Sequence, residues 1–115
     1  MTGMNPSAFP TRLWDFVKRL EGDKVKTVRE KEFSILRVDP AVNGVNGAVR
    51  IKVLSTGKER SITGDEIESG VALWLTGAAL TPTNMRAGGA SEYNPAYVAA
   101  ILKSIEPSLS ASVSR

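Results

Sequence analysis

Apolar residues along the chain keep two different rhythms. Near the start, Phe9, Leu13, Phe16, Val17 and Leu20 recur at helical spacing, and Gly22 ends the run. Ser7 or Pro6 opens this helix, and Trp14 falls beside the stripe, at the core edge. From Lys24 the period shortens to two. KVKTVREKEFSILRVD reads as two strands joined near Glu30 and Lys31, with Val25 and Thr27 in the first. In the second, Phe33 and Ile35 share one face while Leu36 and Val38 take the other. Asn43-Gly44 and Asn46-Gly47 then offer the positive φ angles that tight turns demand. AVRIKVLS alternates cleanly, with Val49, Ile51 and Val53 pointing one way and Arg50 and Lys52 the other. Thr56-Gly57 turns the chain into a fourth strand, KERSIT.

Helical spacing returns after Thr63. Thr63-Gly64-Asp65-Glu66 fits a capping box, in which the threonine side chain and the glutamate each satisfy a backbone N–H of the other. Asp65 and Glu66 also suit the positive end of the helix dipole. Ile67, Val71, Trp74 and Leu75 form the apolar stripe, and Gly77 stands at the C-cap. Thr81-Pro82 is a second N-cap followed by proline at the first helical position, opening a short helix that ends by Gly88-Gly89. Asn94-Pro95 repeats the device and starts a last helix carrying Tyr97, Val98, Ile101, Leu102 and Ile105, with Pro107 as its stop. SLSASVSR reads as a flexible polar tail. The expected fold is therefore α+β: an N-terminal helix, a small antiparallel sheet of about four strands and three C-terminal helices. Residues 1–107 form its single domain and 108–115 the tail; strand order is left open.

Composition narrows the chemistry. With 42% apolar residues in 115, a packed core is within reach. The chain has no histidine and no cysteine. Ser-His and Cys-His nucleophiles and histidine- or thiolate-bound zinc are thereby excluded, and no metal or cofactor is expected. Asp65, Glu66 and Glu68 share one helical turn, but two of them already serve the cap, and no carboxylate pair has the apolar seclusion that acid–base work needs. NGVNG lacks the Lys-Ser/Thr of a phosphate-binding loop. A non-enzyme is expected. No apolar run is long enough to cross a bilayer, and MTGMNPSAFPTRLWDF lacks the layout of a secretory signal, so the expected location is cytoplasmic, without a membrane partner.

Charge is unevenly placed. The net charge is +3, but residues 1–60 hold 12 basic against 7 acidic side chains, and residues 61–115 hold 3 against 5. That asymmetry points to a polyanion-facing half. Two constellations follow. Arg50, Lys52, Lys58 and Arg60, delivered by the third and fourth strands, suit phosphate contact; the same charges also guard exposed strands against aggregation. The two helices after Thr81 have a helix-turn-helix flavour, with the basic 50–60 hairpin placed as a wing. In that winged-helix-like arrangement Arg86 lies near a phosphate, and Ser91, Asn94 and Tyr97 lie nearer the groove. Against it, the 88–94 turn is long, AYVAAIL suits burial, and Lys103 is the last helix's only basic residue before its polar end. Phe33 is the sheet's only aromatic, which argues against base stacking on the strands.

The expected function is a small accessory or regulatory module that binds nucleic acid through Arg50, Lys52, Lys58, Arg60, Arg86, Ser91, Asn94 and Tyr97. The alternative is a protein-interaction or structural module, such as a homodimer, using the sheet edge or the loop around Tyr93 and Tyr97. A small-molecule site between sheet and helices, lined by Trp14, Trp74 and Tyr97, is a third. Convergence of the positive charge on one face favours the first.

Overall fold

Alternation in the strands produces a sheet with one apolar and one charged face. The computed structural model describes residues 12–41 and 46–113 and shows an α+β fold. Its elements are α1 (Leu13–Lys18), β1 (Lys24–Lys26), β2 (Glu32–Asp39), β3 (Ala48–Val53), β4 (Glu59–Thr63), α2 (Gly64–Leu75), α3 (Pro82–Ala87) and α4 (Pro95–Val113). The strands form an antiparallel meander in the order β1-β2-β3-β4. Val25, Phe33, Ile35, Val38, Val49, Ile51 and Ile62 are buried against the helices; Lys24, Lys52, Arg37, Arg50 and Ser61 stand on the other, open face. The helix opening at Ser7 or Pro6, Phe9 and Asn43-Gly44 lie outside the described residues.

Strict period-two reading goes wrong within β2. Ile35 pairs with Ile51, but the next paired residue is Arg37, opposite Arg50, so Leu36 is the extra residue of a bulge. The bulge resets the parity. Val38 therefore joins Phe33 and Ile35 on the buried face instead of Leu36, which is left exposed. A bulge carries no composition signal here, so simple alternation could not find it.

Gly47 has a different purpose from the hairpin turn expected of Asn46-Gly47. It does not adopt positive φ. A Cβ built there would lie 2.7 Å from the Asp39 carbonyl oxygen and 2.8 Å from the Trp14 ring. The backbone of Gly47 also accepts from the Gly64 N–H at 2.7 Å, at the mouth of α2. Close approach between three elements, rather than a turn, selects glycine at this position.

The helices pack around α4. It contacts α1, α2, α3 and β1, and buries Val98, Ala99, Ile101, Leu102, Ile105 and Leu109. Gly70 of α2 permits the crossing, since a Cβ there would come within 2.6 Å of Leu102. Contrary to the expected stop and flexible tail, α4 runs through Pro107 to Val113. Pro107 removes one backbone donor, but it faces solvent, and fully buried Leu109 anchors the turn beyond it. Tertiary packing overrides the local breaker.

Overpacking gives a direct check on this arrangement. Gly47→Ala is expected to destabilise the protein by about 2 kcal/mol, read as a lower urea midpoint with an unchanged slope. A change within about 0.5 kcal/mol would mean the Trp14–Gly47–Gly64 contact is looser than described.

Candidate functional site

The open sheet face carries a mixed lattice of charge. Lys24, Ser34, Lys52 and Glu59 form one cross-strand row, and Arg37, Arg50 and Ser61 the next. Two like charges directly opposite, Arg37 and Arg50, repel. Each is met by a carboxylate: Arg37 by Asp39 at 2.9 Å and Arg50 by Glu59 at 2.9 Å. Lys26 meets Glu30 at 3.7 Å. These exposed pairs add little stability, but they neutralise much of the face's field. Lys52 has no carboxylate partner among the described residues, and Lys58 is exposed in the β3–β4 turn.

Arg60 leaves that face altogether. It pairs with Ile51, so its side chain takes the helix side of the sheet. There its guanidinium donates to the Asn94 side-chain oxygen at 3.1 Å and lies 5.5 Å from the centre of the Tyr97 ring. Tyr97 in turn meets Phe33 edge-on at 5.1 Å. The four basic residues of the expected wing are thus divided between opposite faces.

Ser91 and Asn94 face inward. They are 3% and 9% exposed and converge on Glu66 of the α2 capping box. The Ser91 hydroxyl donates to Glu66 Oε2 at 2.5 Å, and the Asn94 amide to the same oxygen at 3.2 Å. Glu66 Oε1 accepts from the Thr63 N–H at 2.9 Å, and the Asn94 N–H donates to Ser91 Oγ at 3.0 Å. These two residues therefore fasten the α3–α4 connection to α2, and they offer no surface to a ligand. Asn94 also differs from the expected N-cap: its side chain is turned to Glu66 and Arg60, whereas Thr81 does cap α3, accepting from the Asn84 N–H at 3.1 Å.

The expected recognition helix is the core helix. Pro95, Val98, Ala99 and Ala100 are buried and the preceding helix has only six residues, so the first turn of α4 presents little more than half-buried Ala96 and Tyr97 where a major-groove reader needs a free face. The winged-helix-like arrangement is not confirmed.

What the fold does assemble is a groove between the β1–β2 turn and the α3–α4 pair. Its volume is about 630 Å³, and Val28, Arg29, Lys31, Arg86 and Tyr97 are among its lining residues. Among the described residues no carboxylate lines it. The turn is held in shape locally: the Thr27 N–H donates to the Lys31 carbonyl at 2.9 Å, and Glu30 takes φ 67°, the left-handed position of a type I turn with a bulge. Of the expected site residues, only Arg86 and Tyr97 line this groove, with Arg60 resting on Tyr97. Arg29 and Lys31 were missed as site residues because nothing local announces that their turn folds over α3. Trp14 and Trp74 do not line this groove; their indole N–H groups donate to Glu68 at 2.9 Å and Glu106 at 3.1 Å. Among the described residues no cluster of acidic side chains could hold a metal, and no helix is long and apolar enough to cross a membrane.

Glu66 makes the clasp pH-sensitive. Burial works to raise its pKa, but hydrogen bonds from Ser91, the Thr63 backbone and Asn94 outweigh burial, and the carboxyl titrates below its usual 4.5. A lowered folded pKa contributes stability above the unfolded value, and that contribution is lost as pH falls through the folded one. Glu66→Ala is expected to cost about 1–3 kcal/mol at pH 7, with the gap to wild type narrowing below pH 4.5. Thermal melts across pH check this; a gap that does not depend on pH would assign the loss to packing alone.

Compared with known proteins, the chain matches no family model, no curated protein and no solved structure.

Proposed function

We propose that this chain is a small, non-catalytic nucleic-acid-binding module that holds a phosphate backbone in the groove between the β1–β2 turn and α3–α4. The observation that carries this reading is the groove's lining: three cations, Arg29, Lys31 and Arg86, with the aromatic Tyr97, and no carboxylate among the described lining residues. Charge of one sign in a concave wall concentrates field, so a polyanion is attracted there more strongly than to the ion-paired open sheet. The N-terminal turn of α4, through Pro95 and Ala96, lines the same groove and adds the positive end of a 19-residue helix. Arginine forks suit phosphate oxygens, and Lys31 adds a point charge. Arg50, whose charge Glu59 meets, takes a lesser part than expected from the sequence, and Lys52 and Lys58 serve at most as distant attraction. Action in the cytoplasm belongs to the same proposal.

The alternative of a protein-interaction module keeps one observation in its favour. Tyr93 is 78% exposed in the α3–α4 connection, and tyrosine is a frequent interface anchor. Light scattering over a concentration series separates the two readings: a monomer throughout supports nucleic-acid binding alone, and a dimer broken by Tyr93→Ser supports the alternative.

Salt titration tests the main reading. With three or four phosphate contacts, log K is expected to fall against log salt with a slope of about −2 to −3. Arg86→Ala is expected to weaken binding several-fold and to flatten the slope by about one unit or slightly less. Reversing Arg50 and Lys52 together is expected to change affinity by less than Arg86→Ala does. No binding at low salt, or the opposite ranking, contradicts the proposal.

A further inference from the structure

We infer, resting on that reading, that the nucleic acid is single-stranded and runs past Val28 into a second groove along β1. This second concavity, of about 480 Å³, lies between β1 and α4. Lys24, Lys26 and Lys103 stand around it, with Val25 and Leu80 among its apolar lining. Thr27 and Val28 line both grooves, so the two meet at the hairpin turn. Together their linings include six basic residues, Arg29, Lys31 and Arg86 on one side of Val28 and Lys24, Lys26 and Lys103 on the other. Alternation about buried Val25 places Lys24 and Lys26 at the open-face side of the edge strand, so Lys103 is the second groove's cation on the helix side. Among the described residues the only carboxylate on the path is Glu30, held by Lys26 at 3.7 Å.

Charge complementarity names the class of partner, and shape names its form. From Tyr97 to Ser104 the path follows α4 for about 10 Å, from the helical rise per residue. The chain that fills it must dip into two small concavities and pass over a ridge between them. Duplex DNA is stiff over about 150 base pairs and presents its charge on a convex surface, so it can touch the rims but cannot enter either groove. A single strand bends at each nucleotide and can place one base or ribose in each. Val28, 60% exposed at the ridge, is an apolar surface for a base edge or sugar. Tyr97, the one aromatic among the described lining residues of the first groove, gives a base a ring to touch, while Phe33 and Arg60 pack against the same ring. Lys103, the lone charge of the last helix before Pro107 apart from Glu106, acquires a reason for its place.

The test uses the full chain with labelled thymidine oligonucleotides of roughly twelve residues, long enough for a small site, and a duplex of the same length, at low salt. The single strand is expected to bind at least about tenfold more tightly than the duplex. Lys103→Glu, at an exposed position, is expected to weaken single-strand binding about tenfold, and Lys52→Glu on the open face to leave it within about twofold. Circular dichroism confirms that both variants fold. Duplex binding as tight as the single strand, or insensitivity to Lys103→Glu while Arg86→Glu still abolishes binding, overturns this inference and leaves the first groove standing. Failure of both oligonucleotides to bind overturns both readings.

Discussion

A single carboxylate, that of Glu66, joins parts of the chain that are far apart in sequence. It closes the capping box of α2 with Thr63 and accepts from Ser91 and Asn94 in the α3–α4 connection. Asn94 carries the linkage on to Arg60 of β4, whose guanidinium rests on Tyr97. A carboxylate drawn partly out of water is costly unless its oxygens are satisfied, and here the hydrogen bonds outweigh that cost, since the group titrates below its usual value. The position of α3 and of the first turn of α4 relative to the sheet follows from this clasp. So does the groove, whose one wall they form.

The clasp also explains why a polar cluster sits between two helices. Arg86, Ser91, Tyr93 and Asn94 are close in sequence but have different tasks. Ser91 and Asn94 are internal connectors, Arg86 lines the groove, and Tyr93 stands in solvent. The basic β3–β4 hairpin divides in the same way: strand parity sends Arg60 inward and Arg50 outward, where Glu59 meets it. Proximity in sequence did not mean a shared surface. The surface that does share charge comes from the β1–β2 turn, α3 and the flank of α4.

Much of the fold was legible because local physics decided it. The capping box at Thr63 and the proline-led start at Thr81 are short-range hydrogen-bond devices, and both are present. Alternation in residues 48–53 identified the buried face of β3 correctly. Where packing decided, sequence reading failed. The bulge at Leu36 keeps Val38 in the core, buried Leu109 carries α4 past Pro107, and Gly47 answers to the Trp14 ring rather than to a turn. The groove was the least legible feature. Arg29 and Lys31 occupy an ordinary hairpin turn, and only the tertiary arrangement sets that turn opposite Arg86.

Amide chemical shifts of the isotope-labelled protein, followed as a thymidine oligonucleotide is added, test the central claim most directly. The account predicts that perturbations gather at Val28–Lys31, Arg86–Ala87 and Ala96–Tyr97 and continue to Lys103, while Arg50, Lys52 and Ser61 on the open sheet face stay still. Perturbations centred on those three open-face residues, or none anywhere, would contradict it.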